Sequence, residues 1–212
     1  MISNNQIRAA LLPFGVQADD ALAGAIRQYM DLLLRWNAKI SLTSITKPSE
    51  IIKRHFGESL FAINAAGIRG GRLADVGSGA GFPGLPLKMA IPGIELTLIE
   101  SNHRKSAFLA EAARTLGLSG VRIIAKRVTD VAGESLSADF IISRALGSYE
   151  ELMQWASKSL SADGRVALWL GLRDAESLLA LSGWSWEKPI PIPLSKERVL
   201  LVGLPSNRPS RL

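Results

Sequence analysis

The residues best equipped for chemistry in this chain are crowded into one segment, Asp75-Val-Gly77-Ser-Gly79-Ala-Gly81-Phe-Pro-Gly84. The run Leu73 to Val76 reads as a buried strand and the run from about Pro83 to Ala90 as a helix, so the glycines form the turn between them. Such a turn bends the chain sharply and lets a ligand lie against the main chain. In an open parallel sheet it falls at the carboxyl edge of the strands, where ligands bind. Pro83 suits the first helical turn, where its missing N–H costs nothing. The spacing Gly79-x-Gly81-x-x-Gly84 is that of a dinucleotide-binding turn, with Glu100 at the end of the next predicted strand as a partner for ribose. A nicotinamide-dependent oxidoreductase is one reading of these residues.

Charge and composition bound the partners. The 212 residues carry 25 Lys and Arg against 19 Asp and Glu, a formal net charge of +6, and 47% of them are apolar. That is apolar material enough for a well-buried domain. The positive excess favours a polyanion, because each phosphate neutralised releases a counterion. Arg104, Lys105, Arg114, Arg122, Lys126 and Arg127 face Glu111 alone between residues 101 and 127, as either an RNA-facing patch or a solvated helix face. The chain has no cysteine, which excludes disulfides, thiolate zinc ligands and a thiol nucleophile. No stretch approaches the roughly 20 apolar residues of a membrane span, and no basic, apolar leader precedes Ala21-Leu22-Ala23. The expectation is a cytoplasmic protein that binds neither membrane nor metal.

The apolar pattern outlines the scaffold that must hold these residues. Leu22, Ile26, Tyr29, Met30, Leu33 and Trp36 recur at helical spacing between about Asp19 and Ile40. Pro48 opens a shorter helix carrying Ile51, Ile52 and Phe56, and Ser59 to Ala66 is compatible with another. Residues 1–68 are expected to form a helical extension packed on the core of a second region, 69–212. From Gly70-Gly71 onward strands alternate with helices. Strands are predicted at Leu73–Val76, Glu95–Glu100, Val121–Ala125, Phe140–Ser143 and Arg165–Leu170, with helices at His103–Leu116, Tyr149–Leu160 and Asp174–Leu181. The proline-broken run Trp186 to Pro193 and the run Val199 to Leu204 predict a closing antiparallel pair. The fold class is α/β, with a doubly wound, mostly parallel sheet covered on both faces. Arg144 directly follows a buried strand end, which favours a site role over a solvated surface charge. His55, beside Arg54, reads on its own terms as a hydrogen-bonded packing residue, and Trp36 as core.

The overlapping frame Asp75-x-Gly77-x-Gly79-x-Gly81 also resembles the first motif of S-adenosylmethionine-dependent methyltransferases. There the acidic residue and the glycines flank the methionine portion, and Glu100 would take both ribose hydroxyls. The helical extension and basic charge suit this frame better than the dinucleotide one. Chemistry narrows the acceptor. Methylating carbon 5 of a pyrimidine needs a thiol, and this chain has none. Methylating an adenine amino group goes with an Asn/Asp-Pro-Pro-aromatic motif after the fourth strand, where this chain has Ser143-Arg144-Ala145-Leu146. Guanine N7 holds a free lone pair and no proton, so it needs alignment more than a general base. A chain with only 2 histidines and no obvious acid–base pair fits that demand.

Arg54-His55 with Ser59, the Asp75-to-Gly84 loop, Arg104-Lys105 with Phe108-Leu109, and Ser143-Arg144-Ala145 together resemble one family. It is the bacterial 16S rRNA (guanine-N7) methyltransferase family, the glucose-inhibited division protein B or ribosomal RNA small subunit methyltransferase G group. The likeness runs from Trp36-Asn37 to Glu197-Arg198. It implies a Rossmann-like class I fold, S-adenosyl-L-methionine as cofactor and 16S rRNA within the small ribosomal subunit as partner. It further implies cofactor contacts from Asp75, Gly77, Gly79, Gly81, Phe82, Glu100 and Arg144, and from Val128 and Thr129 after the third strand. Arg144 and His55 would form the catalytic pocket, and Arg54, His55, Arg104, Lys105 and Arg198 the RNA side. Nothing demands an obligate protein partner or more than a monomer. The chain departs from the family pattern with Leu170-Gly171 for Lys-Gly, Ser41-Leu42-Thr43 for Asn-Leu-Thr, Glu58 for Asp and Val199 for His. The absent lysine removes a phosphate or acceptor-positioning contact, for which Arg173 is the nearby substitute. These departures raise the alternative of a non-catalytic RNA-binding assembly factor that retains the fold.

Overall fold

In the computed structural model, which describes residues 2–131, 136–144 and 149–206, the chain opens with helices. Ala145 and Leu146 of the predicted site motif, Met1 and residues 207–212 lie outside the described residues. Helix α1 (Asn4–Leu11) starts in a capping box made by Ser3 and Gln6. Helix α2 (Asp20–Asn37) starts at Asp19, whose carboxylate accepts from the Leu22 N–H, and buries Ile26, Tyr29, Met30 and Leu33 as their spacing predicts. Residues 48–65 make one rod in three pieces: α3 (Pro48–Ile51), a π-helical turn (Ile52–Gly57) and α4 (Glu58–Ala65). The sequence reading separates two helices here. The structure joins them through the wide turn, which re-aims Arg54 and His55 relative to a regular helix. Gly57 is required by packing, since a Cβ there would lie 2.5 Å from the ring of Phe14.

The parallel strands are β1 (Gly71–Val76), β2 (Ile94–Ile99), β3 (Val121–Ile124), β4 (Ala138–Arg144) and β5 (Leu160–Gly171), alternating with α5 (Gly84–Ala90), α6 (His103–Thr115) and α7 (Tyr149–Ser159). After α8 (Leu172–Leu179) come β6 (Trp184–Trp186), β7 (Ile190–Pro191) and β8 (Arg198–Pro205). The strand order is β3-β2-β1-β4-β5-β8-β6, with β8 antiparallel to β5 and β7 beside β8. This is the doubly wound, mostly parallel α/β sheet that the alternation predicts. Its order reverses between β1 and β4, so the loops at their carboxyl ends form a ligand crevice.

Two clusters of buried side chains cover the two faces. Along β5, Ala167 and Trp169 belong to one cluster and Val166, Leu168 and Leu170 to the other, as strand alternation demands. The first cluster also holds Ile7, Leu11, Tyr29 and Leu33 together with Leu73, Leu96 and Phe108, so the N-terminal helices and the sheet share one core. Strand β5 starts at Leu160, ahead of its predicted start, because its register with β4 slips between Ala138 and Phe140. Gly164 lies in that irregular stretch, where a Cβ would come 2.4 Å from the Ala138 carbonyl oxygen. The closing pair is split more finely than predicted. Pro189, Pro191 and Pro193 offer no N–H to a ladder, which leaves β6 and β7 as short separate pieces on β8. Among the described residues no helix is long and apolar enough to cross a membrane.

Candidate active site

The glycine loop leaves β1 at Val76 and is tied to β2, because Gly77 N–H and Ser78 N–H both donate to the Ile99 carbonyl, at 2.8 and 3.2 Å. Its glycines serve different ends. Gly77 and Gly79 take φ of 69° and 56° and line a cleft. Gly81 and Gly84 are demanded by packing: a Cβ would meet the Tyr29 hydroxyl at 2.4 Å in one case and the Asp75 carboxylate at 2.7 Å in the other. Tyr29 donates to the Ala80 carbonyl oxygen, so α2 braces the loop from behind. The sequence reading takes Tyr29 only as a core position. Pro83 caps α5 after a cis peptide bond, rather than sitting inside the first helical turn.

The two carboxylates flanking the loop have opposite surroundings. Asp75 is wholly buried: one oxygen accepts from the Gly84 N–H at 2.9 Å, and the other has no partner among the described residues. Burial raises its pKa from 3.8 to about 7, against the opposing pull of the Gly84 hydrogen bond and Arg144. Glu100, at the end of β2, accepts from the N–H groups of Gly79 at 2.9 Å and Asn102 at 2.8 Å. These fix its carboxylate on the wall of a cleft of about 360 Å³, which Gly77, Gly79, Phe82, Lys105 and Arg144 also line.

The far wall of that cleft is a hydrogen-bonded chain. Arg144 donates to the Arg54 carbonyl oxygen at 2.8 Å and to His55 Nδ1 at 3.0 Å. A guanidinium only donates, so Nδ1 is the accepting nitrogen and the ring's proton sits on Nε2, 2.8 Å from Thr43 Oγ1. Burial, helped by Arg144 and Arg54, lowers the His55 pKa to about 3, which keeps the ring neutral. The imidazole stacks on Phe82 at 4.6 Å, and the other face of Phe82 stacks on Tyr29 at 5.2 Å. The Arg144 guanidinium lies 5.5 Å from the Phe82 ring centre. Thr43 is fixed by Asn37, whose side chain accepts from the N–H groups of Leu42 and Thr43 and donates to the Thr43 carbonyl oxygen, at 2.8 to 2.9 Å.

Thr43, His55 and Arg144 also line a second cleft of about 460 Å³, with Arg54, Glu58, Asp174 and Arg198 around it. Glu58 is 2% exposed. Arg198 donates to both its oxygens, at 2.7 and 3.3 Å, and Arg54 Nε lies 3.0 Å from one of them, off the line of a hydrogen bond. A carboxylate so buried needs such partners. Three arginines against Glu58 and Asp174 leave this cleft with one positive charge in excess.

The structure thus brings Gly77, Gly79, Phe82, Glu100, Lys105, Arg144 and His55 to the first cleft, and Arg54, His55, Arg144 and Arg198 to the second. Asp75 and Gly81 lie behind the loop rather than on the cleft wall. Val128 and Thr129 form a short 3-10 turn with Asp130 and Val131, and neither lines either of these two clefts. Arg104 and Arg173 are exposed and line neither cleft. The departures Leu170 and Val199 are direct cross-strand partners on β5 and β8, both buried in one apolar cluster. They form one packed apolar pair. Thr43, Asn37 and Glu58 are site residues that the sequence reading names within the family pattern but gives no role in the site. Another cleft, of about 470 Å³, opens at the amino-terminal edge of the strands; of the residues singled out in the sequence it takes in only Arg122 of the basic patch. Among the described residues no group of three or more His, Cys, Asp or Glu is arranged to hold a metal.

Comparison with known proteins follows the same line. The model of a family described as rRNA small subunit methyltransferase G matches residues 23–183. A protein named ribosomal RNA small subunit methyltransferase G from Myxococcus xanthus is 36% identical over 178 residues, covering 83% of this chain and 82% of its own. One of the same name from Xanthomonas axonopodis pv. citri is 35% identical over 201 residues, covering 92% and 93%. A SAM dependent methyltransferase from Aquifex aeolicus superposes with a TM-score of 0.62 at 16% identity, over 74% of this chain and 93% of that one. A ribosomal protein L11 methylase from Lactobacillus delbrueckii subsp. bulgaricus gives 0.57 at 16% identity, over 73% and 80%. At these identities the two solved structures share the fold alone.

Proposed function

The chain belongs to the rRNA small subunit methyltransferase G family, and from that premise we propose that it transfers a methyl group from S-adenosyl-L-methionine to N7 of one guanine in 16S rRNA. It would do so on the small ribosomal subunit, in the cytoplasm and as a monomer. The observation that carries this reading is the meeting of two clefts at Arg144 and His55, one bounded by the glycine loop and Glu100, the other by arginines.

The first cleft fits the cofactor. Glu100 is oriented by two backbone N–H groups and keeps lone pairs for the hydroxyls of a ribose. Gly77 and Gly79 leave the loop backbone open to the methionine portion. S-adenosylmethionine held there would supply an electrophilic methyl on a sulfonium, with neutral sulfide as the leaving group and the N7 lone pair as acceptor. N7 has no proton to lose, so the chain's own residues contribute alignment and exclusion of water. His55 is unsuited to be a base, because Nδ1 accepts from Arg144, Nε2 already carries the proton, and burial makes the ring resist a second one. Its role is to orient Arg144, which keeps free N–H donors at the junction. Arg54 and Arg198 favour the approach of phosphates on the second side.

The test is transfer of radiolabel from S-adenosylmethionine to small subunits prepared from a strain that lacks the modification. Label is mapped by the strand cleavage that N7-methylguanine permits after reduction and aniline treatment. Label at a single guanine is expected. No label, with cofactor binding intact, overturns the assignment.

A further inference from the structure

Where the two clefts meet, the exposed hydrogen-bonding groups have a single polarity. A threonine hydroxyl has two lone pairs and one proton. At Thr43 one lone pair accepts from the Ile45 N–H at 3.0 Å and the other from the His55 Nε2 proton at 2.8 Å. Both accepting sites are therefore filled, and the hydroxyl proton has no acceptor among the described residues. Arg144, beside it, can only donate, and it has already used two of its N–H groups on Arg54 and His55. Asn37 fixes the Thr43 backbone at its N–H and its carbonyl, and the bonds that Oγ1 accepts from Ile45 and His55 fix the direction left to its proton. Thr43 lines both clefts.

We infer that Thr43 is a specificity-determining residue of this site: its hydroxyl donates to the carbonyl oxygen at position 6 of the target purine, beside N7, and thereby selects guanine over adenine. The inference rests on the guanine-N7 reading above and deepens it. Guanine presents two acceptors on this edge, O6 and N7, whereas adenine presents N7 and an amino donor. A donor held between Arg144 and the His55 ring finds a partner in the first and a second donor in the other. A buried donor facing a donor loses its bond and stays desolvated, which is how sites built for one polarity reject the other.

The experiment uses full-length protein and small subunits reconstituted with guanine, inosine or 2-aminopurine at the target position. Inosine keeps O6, while 2-aminopurine keeps N7 and lacks O6. Wild type is expected to methylate guanine and inosine with similar kcat/KM and 2-aminopurine about tenfold less well, the size of one lost hydrogen bond. Thr43→Ser, which keeps the hydroxyl, should retain that preference. Thr43→Val should lose it, treating guanine and 2-aminopurine alike, while calorimetry with S-adenosylhomocysteine gives wild-type affinity. A preference that survives in Thr43→Val, or is absent from wild type, overturns the inference. So does a loss of S-adenosylhomocysteine affinity in Thr43→Val, because the hydroxyl would then serve the cofactor cleft, directly or through His55 and Arg144. Failure of wild type to methylate the guanine subunit would instead sink the functional reading itself.

Discussion

Gly77 combines a φ of 69° with a position on the cleft wall, so a side chain there meets backbone strain and takes up ligand space at once. Gly77→Arg is expected to abolish binding of S-adenosylhomocysteine in calorimetry, and near-normal affinity would remove the cofactor assignment of this cleft. Asp75 makes a different prediction, about pH. Its pKa is about 7 in the folded chain against 3.8 for a free side chain, so between those values the native state holds a proton the unfolded state lacks. That contribution to stability is complete below about pH 4 and is lost as pH rises through 7. Asp75→Asn keeps an oxygen for the Gly84 N–H and cannot ionise. Its Tm should gain on that of wild type by on the order of 5 °C between pH 5 and pH 8; a difference that does not change with pH would refute the origin given for it. The loop's residue types made its place in the fold legible, and family membership removes the dinucleotide reading of the same glycines. Spacing alone could not separate Gly77 and Gly79, which face the cleft, from Gly81 and Gly84, which answer to Tyr29 and Asp75. That distinction depends on contacts between residues far apart in sequence.

At the scale of elements, helix and strand periodicity located α2 and β1 to β4 within a few residues, because each buries one regular set of positions. What escaped were irregularities with no period: the π-helical turn under His55, the slipped start of β5 and the divided closing strands. The loop from Ala38 to Thr43 escaped for the same reason, since its shape is dictated by one side chain. Asn37→Ala removes all of the Asn37 hydrogen bonds to that loop and should cost about 1–3 kcal/mol. Hydrogen exchange checks this directly, because the Leu42 and Thr43 amides should lose protection while those of β1 keep theirs. The pairing of Leu170 with Val199 gives two departures from the family pattern a joint physical reason that neither residue displays alone.

For the whole molecule the shared core is decisive. Ile7, Leu11, Tyr29 and Leu33 pack in the same cluster as Leu73, Leu96 and Phe108, so residues 69–212 alone would expose the part of this core that the N-terminal helices cover. Helices α5 and α6 still cover β1 to β3 in a fragment of residues 69–212, but the apolar surface that α1 to α4 bury is bared. The fragment is therefore expected to bind a hydrophobic dye and to show no cooperative thermal transition; a cooperative transition would mean that the two regions fold apart. Net charge was legible from composition, but its distribution was not: the arginines at the second cleft come from residues 54, 144 and 198, and only the fold gathers them. The ion pair between Glu58 and Arg198 joins residues 140 positions apart. During synthesis the N-terminal rod leaves the ribosome with a carboxylate built for burial, and its partner arrives only with the last strand. The arginine wall of the second cleft is therefore closed only when β8 joins the sheet, after all the parallel strands have been made.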